Sequence, residues 1–391
     1  MVNTSFSPWP SFSYEEADAV TSVLLSNKVN YWTGTEGRQF EAEFADWCDV
    51  NYAVAVANGT VALDLALKAL NLPFGKEVIV TSRTFLASAS AIVNAGLVPI
   101  FADVDPCSQN ITVDTIKSVV SSNTGAVLCV HLAGWPCDMD PILELAKQLD
   151  LYVLEDCAQA HGASYKGKPV GSIGHIGCWS FCQDKIMSTG GEGGMVTTND
   201  ELLWQRMWSY KDHGKSWKAV YESEPSEGFR WLHESFGTNG RMTEMQAVIG
   251  RIQLGHMSVW HEKRSRYASD IYEAARNLHG LRVPTLPDDI EHAWYKCYLF
   301  VEPNELNKDW DRDRVIAEIV ARGVPCFSGS CSEVYLEKAF EGTGWRPQVR
   351  LPVAKELGET SLMFLVHPSL SEEEIERTCA VLRQVMLEAV A

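Results

Sequence analysis

The chain is poor in positive charge: 33 Lys and Arg stand against 51 Asp and Glu among 391 residues, a formal net charge of −18. Such a surface repels nucleic-acid backbones and anionic membranes at long range, so no nucleic-acid or membrane partner is expected. Any anionic ligand must be held by local geometry. The sequence also lacks a Cys-x-x-Cys pair. Its 11 cysteines are odd in number and scattered from Cys48 to Cys379, which argues against a secreted disulfide framework and against a zinc ribbon. The closest spacings, Cys178/Cys182 and Cys326/Cys331, read as isolated thiols, and no metal is expected. No apolar run reaches membrane-spanning length, because the most hydrophobic stretches are broken at Asn94, Gly96, Asp103 or His131. Met1 to Pro8 carries neither the basic region nor the apolar region of a secretory leader. The expected compartment is the cytoplasm. Internal repeats and low-complexity tracts are missing as well. What is present, with 46% hydrophobic and 21% charged residues, is a globular chain long enough for two packed cores.

Between Tyr52 and Thr198, short β-branched runs alternate with stretches of helical length, the pattern of a doubly wound α/β domain. The strand candidates are Tyr52 to Ala57, Glu77 to Val80, Val98 to Phe101, Ala126 to His131, Leu151 to Leu154, Cys178 to Phe181 and Met195 to Thr198. Most are apolar on both faces, as in the buried strands of a mainly parallel sheet. Helix candidates are Thr60 to Ala69, Leu86 to Asn94, Val113 to Val120, Pro141 to Leu149 and Asp200 to Tyr210, the last with Asn199-Asp200 at its capping position. Gly214 to Asn239, with Pro225, Gly228 and several Trp, reads as a long irregular excursion, and loops of that length are usually functional. A long helix follows over Glu244 to His279, and Pro284, Pro287 and the acidic Asp288 to Glu291 mark a change of domain. The predicted division is 1–280 for an N-terminal segment with the large domain and 281–391 for a smaller α+β domain. Within the latter, Tyr295 to Val301 is a strand, Asp311 to Arg322 a helix, and Glu372 to Ala389 a final helix opened by the capping box Ser371-x-x-Glu374.

Open parallel sheets bind ligands outside the carboxyl ends of their strands, and four features of the sequence fall there. Asn58-Gly59-Thr60 closes one strand and opens a helix, whose N-terminal N–H groups suit a phosphate, although an ordinary helix cap has the same residues. Glu155-Asp156 ends the hydrophobic run from Leu151; a carboxylate leaving a buried strand needs a partner, or it caps a helix. Lys185 follows another buried strand and precedes Gly190-Gly191-Glu192-Gly193-Gly194, glycines that permit close backbone approach to a planar or anionic ligand. Thr84-Phe85 places an aromatic ring at a helix start, where it packs in the core or stacks on a ligand ring. A lysine for a Schiff base, a carboxylate for a pyridine nitrogen, an aromatic face and a phosphate cup together match pyridoxal 5′-phosphate.

The stretches Asn58 to Leu63, Thr84-Phe85, His131 to Asp140, Glu155 to Ala163, Ser180 through Lys185 to Gly194, and Asn239 to Ala247 closely resemble the DegT/DnrJ/EryC1/StrS family of sugar aminotransferases. The resemblance runs from about Pro10 to the C-terminal helix. It implies the aspartate-aminotransferase fold (fold type I), an α/β architecture with a mainly parallel central sheet flanked by helices and a smaller α+β C-terminal domain. It further implies that Lys185 carries the cofactor and moves the substrate proton. Asp156 would pair with the pyridine nitrogen, Gln159 would bond the phenolic oxygen, Phe85 would stack on the ring, and Gly59, Thr60 and Ser180 would hold the phosphate. Asn239 and Arg241 match a segment that reaches into the neighbouring subunit's site, so a homodimer with shared active sites is expected.

The implied activity moves an amino group from an amino acid, expected to be L-glutamate, to a keto group of a nucleotide-linked sugar through pyridoxamine 5′-phosphate. Aminosugars for surface polysaccharides such as the lipopolysaccharide O-antigen are the implied products. His213, Lys215 and Arg230, in the irregular segment, are candidate substrate contacts. Two departures from the family pattern stand out: Lys76 replaces a usual aspartate in a surface turn, and Pro325 to Cys331 replaces a Tyr/Pro-rich stretch near the sugar. The second leaves the substrate open more than the reaction. Sugar dehydratases of the same family have histidine where Lys185 stands, and a non-catalytic regulator on this fold would tolerate loss of Lys185 or Asp156; both residues are present.

Overall fold

The computed structural model describes residues 6–223, 228 and 230–390; Pro225 lies outside them. The apolar runs become β1 (Tyr52–Val56), β2 (Glu77–Thr81), β3 (Val98–Ala102), β4 (Thr124–Val130), β5 (Tyr152–Asp156), β6 (Ile176–Ser180) and β7 (Gly194–Thr198). They form one sheet in the order β1-β7-β6-β5-β4-β2-β3. Every neighbouring pair from β6 to β3 is parallel, whereas β7 is antiparallel to both β1 and β6. The reversal has a simple cause: β6 and β7 are joined by a loop, not by the helical crossover that parallel neighbours require. Successive side chains serve opposite faces, so Val78 and Val80 pack in one core while Ile79 packs in another.

Most predicted helices form, among them Gly59–Ala69, Leu86–Asn94 and Met139–Leu149. Asp200, not Asn199, caps the helix Glu201–Lys211 by accepting the Leu203 N–H at 2.9 Å. The helix expected over Val113 to Val120 stops at Lys117, because the β-branched Val119 and Val120 turn onto the core beneath the sheet. The excursion after Gly214 is less irregular than expected and contains the short helix Trp217–Tyr221.

A second sheet, all antiparallel, has the order β8-β9-β11-β10 from β8 (Leu281–Arg282), β9 (Cys297–Val301), β10 (Cys326–Phe327) and β11 (Ser361–Phe364). The final helix begins with the expected reciprocal box: the Ser371 N–H donates to Glu374 Oε2 at 2.8 Å and the Glu374 N–H to Ser371 Oγ at 3.3 Å. The long helix Glu244–Ala275 belongs to two cores, Ala247 and Met257 packing with Phe40 and Trp179 while Tyr267, Ala268 and Ile271 pack with β9 and β11. A division at 280 therefore follows a helix that both bodies share. Arg83, just past β2, is fully buried and ties them again: its Nε reaches Gln109 at 3.0 Å, while its two terminal nitrogens reach Ser332 at 2.6 Å and Ser361 at 2.8 Å. That anchor fixes the segment that carries Thr84 and Phe85.

Candidate active site

The loops after β1, β2, β5 and β6 meet at one cavity of about 950 Å3, closed on its far side by Tyr295, Lys296, Phe327 and the segment Gly329 to Cys331. At the end of β1, Asn58 adopts an extended conformation and its side chain accepts the Val61 N–H at 2.9 Å. The following Gly59 and Thr60 are the first helical residues, so their N–H groups have no intrahelical acceptor and face the cavity end of the helix dipole. A Cβ at Gly59 would lie 2.5 Å from the Ser180 Cβ. Glycine is what lets the Asn58 turn and the end of β6 approach this closely.

At the end of β5 the two adjacent carboxylates part company, because neighbouring strand residues point to opposite faces. Glu155 turns away from the cavity. Its Oε2 accepts from His131 Nε2 at 2.9 Å and from the Gly171 N–H at 2.9 Å, and its Oε1 from the N–H groups of Ile173 at 2.9 Å and Gly174 at 2.6 Å. Burial alone would raise its pKa, but His131 and the backbone donors outweigh burial and hold it below the ordinary value. His131 Nδ1 accepts the Cys137 N–H at 3.0 Å, so Nε2 carries the hydrogen given to Glu155. His131, Glu155 and Cys157 have ligand atoms within 4.8 Å of one another, yet this mutual bonding already occupies the first two.

Asp156 lines the cavity and has only two donors, Ser88 Oγ at 2.8 Å and the Ala158 N–H at 3.1 Å. Burial dominates and its pKa is raised, the two hydrogen bonds and the more distant Lys185 offsetting only part. None of the ion pairs among the described residues includes it. A buried carboxylate at a cavity floor without a contact cation fits a protonated ring nitrogen. Gln159 Oε1 accepts the Ala133 N–H at 2.8 Å, which leaves its amide hydrogens for a ligand oxygen. Phe85 lines the cavity and is 70% exposed as a residue, the state of an aromatic side chain open to a stacking partner.

Lys185 enters from the loop after β6. Its Nζ is 3.9 Å from Asp184 Oδ1 and 5.0 Å from the centre of the Tyr295 ring. The backbone is pinned by the Trp9 indole N–H, which donates to the Lys185 carbonyl at 2.7 Å. Asp184 also accepts a hydrogen bond from the Tyr295 hydroxyl. Burial would raise the Asp184 pKa, but Lys185, that hydroxyl and Lys296 keep it below the ordinary carboxylate range. The glycine-rich loop corrects an expectation. Gly190, Gly191, Gly193 and Gly194 do not line the cavity; a Cβ at Gly194 would meet the Asn58 carbonyl oxygen at 2.5 Å and one at Gly193 would meet Thr189 Oγ1 at 1.9 Å. Gly193 and Gly194 thus serve close packing, Gly194 bringing β7 against the Asn58 turn, whereas a Cβ at Gly191 would meet nothing within 4 Å.

Thus Gly59, Thr60, Phe85, Asp156, Gln159, Ser180 and Lys185 share one cavity. Asn239, Arg241, His213, Lys215 and Arg230 do not line it. Asn239 is exposed, and Arg241 bonds Asp212 at 2.7 Å. Lys215 bonds the same carboxylate at 3.1 Å and lies 4.1 Å from the centre of a Trp32 ring. Arg230 donates to the carbonyls of Ala219 at 2.9 Å and Val220 at 3.4 Å. Sequence reasoning missed Ser88, Asp184, Tyr295 and Lys296. Only Ser88 left a usable signal, one helical turn beyond Phe85; the last two arrive just before β9, where the Tyr295 N–H bonds the Ala133 carbonyl at 2.9 Å.

The profile of the DegT/DnrJ/EryC1/StrS aminotransferase family matches residues 10–383. The chain is 36% identical over 375 residues to the GDP-perosamine synthase of Escherichia coli O157:H7, covering 95% of each chain. It is 35% identical over 362 residues to the UDP-N-acetyl-3-dehydro-alpha-D-glucosamine 3-aminotransferase of Acidithiobacillus ferrooxidans, covering 93% of this chain and 92% of the other. Among solved structures, an aminotransferase from Psychrobacter cryohalolentis is 62% identical and superposes with a TM-score of 0.97, over 98% of this chain and 99% of the other.

Proposed function

The chain belongs to the DegT/DnrJ/EryC1/StrS aminotransferase family, and from that premise we propose that it transfers the amino group of an amino acid, L-glutamate, to the keto group of a nucleotide-linked sugar. It is a sugar aminotransferase of α/β fold, and its cofactor is pyridoxal 5′-phosphate. That cofactor supplies an electron-withdrawing ring and carries the amino group between the two half-reactions as pyridoxamine 5′-phosphate. The observation that carries the reading is the single cavity in which Lys185 and an unpaired, buried Asp156 lie together.

In this reading Lys185 Nζ anchors the cofactor, then takes the proton from the substrate carbon and returns it. Asp156 keeps a proton on the ring nitrogen, a role for which a desolvated carboxylate backed by Ser88 is suited. Gln159 orients the phenolic oxygen through its amide N–H, and Phe85 covers one ring face. Gly59 and Thr60 offer backbone N–H groups, and Ser180 its hydroxyl, to the phosphate.

Two relatives named for GDP- and UDP-linked sugars support a nucleotide-linked acceptor. The acceptor's use in surface polysaccharide, a homodimer in which Asn239 and Arg241 complete the partner subunit's site, and contacts from His213, Lys215 and Arg230 to the nucleotide sugar belong to the same proposal. So does a cytoplasmic location, with which eleven unpaired cysteines are compatible; no helix among the described residues is long and apolar enough to cross a membrane. The test presents the pyridoxamine form to a panel of UDP-, dTDP- and GDP-linked keto sugars and reads the product by mass. Amination of one member is expected. Failure with all of them, in an enzyme that L-glutamate does convert, overturns the acceptor class.

A further inference from the structure

The cavity contains more acid than base. The charged residues that line it are Asp156, Asp184, Glu192, Lys185 and Lys296, and no arginine is among them. Lys185 is engaged with the cofactor in the proposed reaction, which leaves Lys296 as the other cation that this chain's own cavity lining offers a substrate anion. Lys296 precedes β9 and reaches the cavity from the small domain, opposite the sheet. Its Nζ is 4.8 Å from the centre of the Tyr295 ring, the same ring that Lys185 Nζ approaches at 5.0 Å. Asp184, by contrast, is engaged by Tyr295 and lies nearer Lys185. No carboxylate oxygen among the described residues lies within 4.0 Å of Lys296 Nζ. An ammonium largely removed from water without a contact anion is costly to keep unless a ligand completes it.

We propose that Lys296 binds the carboxylate of the amino-acid donor, an assignment that rests on the aminotransferase reading above. Reach favours a carboxylate over a diphosphate. The donor's α-carboxylate is bonded to the carbon whose proton Lys185 removes, so the cation that holds it must stand beside Lys185. Lys296 does so, across one aromatic ring. A nucleotide diphosphate hangs from the anomeric carbon of the sugar, away from the reacting carbonyl, and its phosphates lie farther out. Burial lowers the Lys296 pKa to about 8, against the opposing pull of Asp184 and with the help of Arg264 and Lys185. A neighbouring carboxylate would restore the charged form.

The experiment compares the parent holoenzyme with Lys296→Met, which keeps the stem and loses the charge, and with Lys296→Arg and Lys296→Gln. Two quantities are read: the L-glutamate concentration that half-discharges the visible band of the pyridoxal form, and the calorimetric affinity for glutarate, an unreactive dicarboxylate, beside that for UDP, dTDP and GDP. Lys296→Met and Lys296→Gln should raise the half-saturating L-glutamate and weaken glutarate by at least ~10-fold, the scale of a lost charge-assisted hydrogen bond. Lys296→Arg should recover most of both, and nucleoside diphosphate affinities should stay within about 3-fold. Parental affinity for glutarate in Lys296→Met overturns the assignment. So does a loss confined to the nucleotides, which would place the diphosphate at Lys296. If no amino acid discharges even the parent, the aminotransferase reading fails on its own, and the glutarate comparison still decides the role of Lys296.

Discussion

Two parts of the molecule are rich in ionisable side chains, and they treat charge in opposite ways. In the segment from Lys211 to Arg241 four cations have partners: Lys211 with Glu41 at 3.5 Å, Lys215 and Arg241 with Asp212, and Arg230 with two carbonyls. In the cavity after β5 and β6, among the described residues, Asp156 has no contact cation, Lys296 no contact anion and Phe85 no ring partner. The first arrangement meets its counter-charges within a single chain, although Lys211 Nζ and Arg241 Nε are buried without a hydrogen-bond acceptor among the described residues. The second is costly as it stands, since a desolvated charge without its counterpart opposes folding. Groups kept in that state are the ones a cofactor and substrate are positioned to satisfy.

The largest effect should come from the cavity's own nucleophile. Lys185→Ala should lose at least ~1,000-fold in turnover together with the visible absorption of the bound cofactor, because both the attachment and the proton shuttle are removed. Full turnover in that variant would dissolve the distinction between the two regions. Asp156→Asn should still bind the cofactor while its rate falls by about 100-fold, the scale of a lost preorganised electrostatic group. A rate within a few-fold of the parent would make Asp156 a structural residue like Glu155.

That last pair shows how far sequence reasoning reaches. The strand ending in Glu155-Asp156 was legible from its hydrophobic run, as were the turn at Asn58-Gly59, the lysine past β6 and the ring at Phe85, since each is local chemistry at a strand end. Which of two consecutive carboxylates faces the ligand was not legible from residue type. It depends on strand phase, and the four donors around Glu155 come from as far away as His131 and Gly174. Lys296 was hidden for the same reason: it stands more than a hundred residues beyond Lys185, and long-range backbone bonds, the Ala293 N–H to the Gly134 carbonyl and the Tyr295 N–H to the Ala133 carbonyl, bring the two ammonium groups to one ring. The glycines at 190–194 misled because close backbone approach is visible in sequence while its object is not.

Arg241 sharpens the comparison further, because it pairs with Asp212 within one chain, its Nε left without an acceptor among the described residues, while its proposed task lies in the neighbouring site. Arg241→Ala alone should lower turnover by at least ~10-fold, the effect of removing a charged hydrogen-bond donor. Mixed with Lys185→Ala chains in equal amounts and allowed to exchange, it should recover about a quarter of parental activity, since half of the dimers are mixed and each has one intact site. No recovery, with dimer exchange confirmed by sedimentation of labelled chains, would confine Arg241 to its own subunit.

The smallest effect belongs to the best-paired cations. Lys215 is held between Asp212 and the Trp32 ring, and Arg230 closes the end of the helix Trp217–Tyr221. Each therefore contributes to local order before it can contribute to a substrate, and each contact to a diphosphate would be partly screened by water. Alanine at either position should raise the half-saturating keto sugar by about 3- to 10-fold and leave the L-glutamate half-reaction unchanged within about 2-fold. The two half-reactions are separable by spectroscopy, so the asymmetry is the measurement. Equal weakening of both would mean that the paired region supports only the fold or the cofactor site, and the contrast between completed and waiting charges would then coincide with the boundary between scaffold and active site.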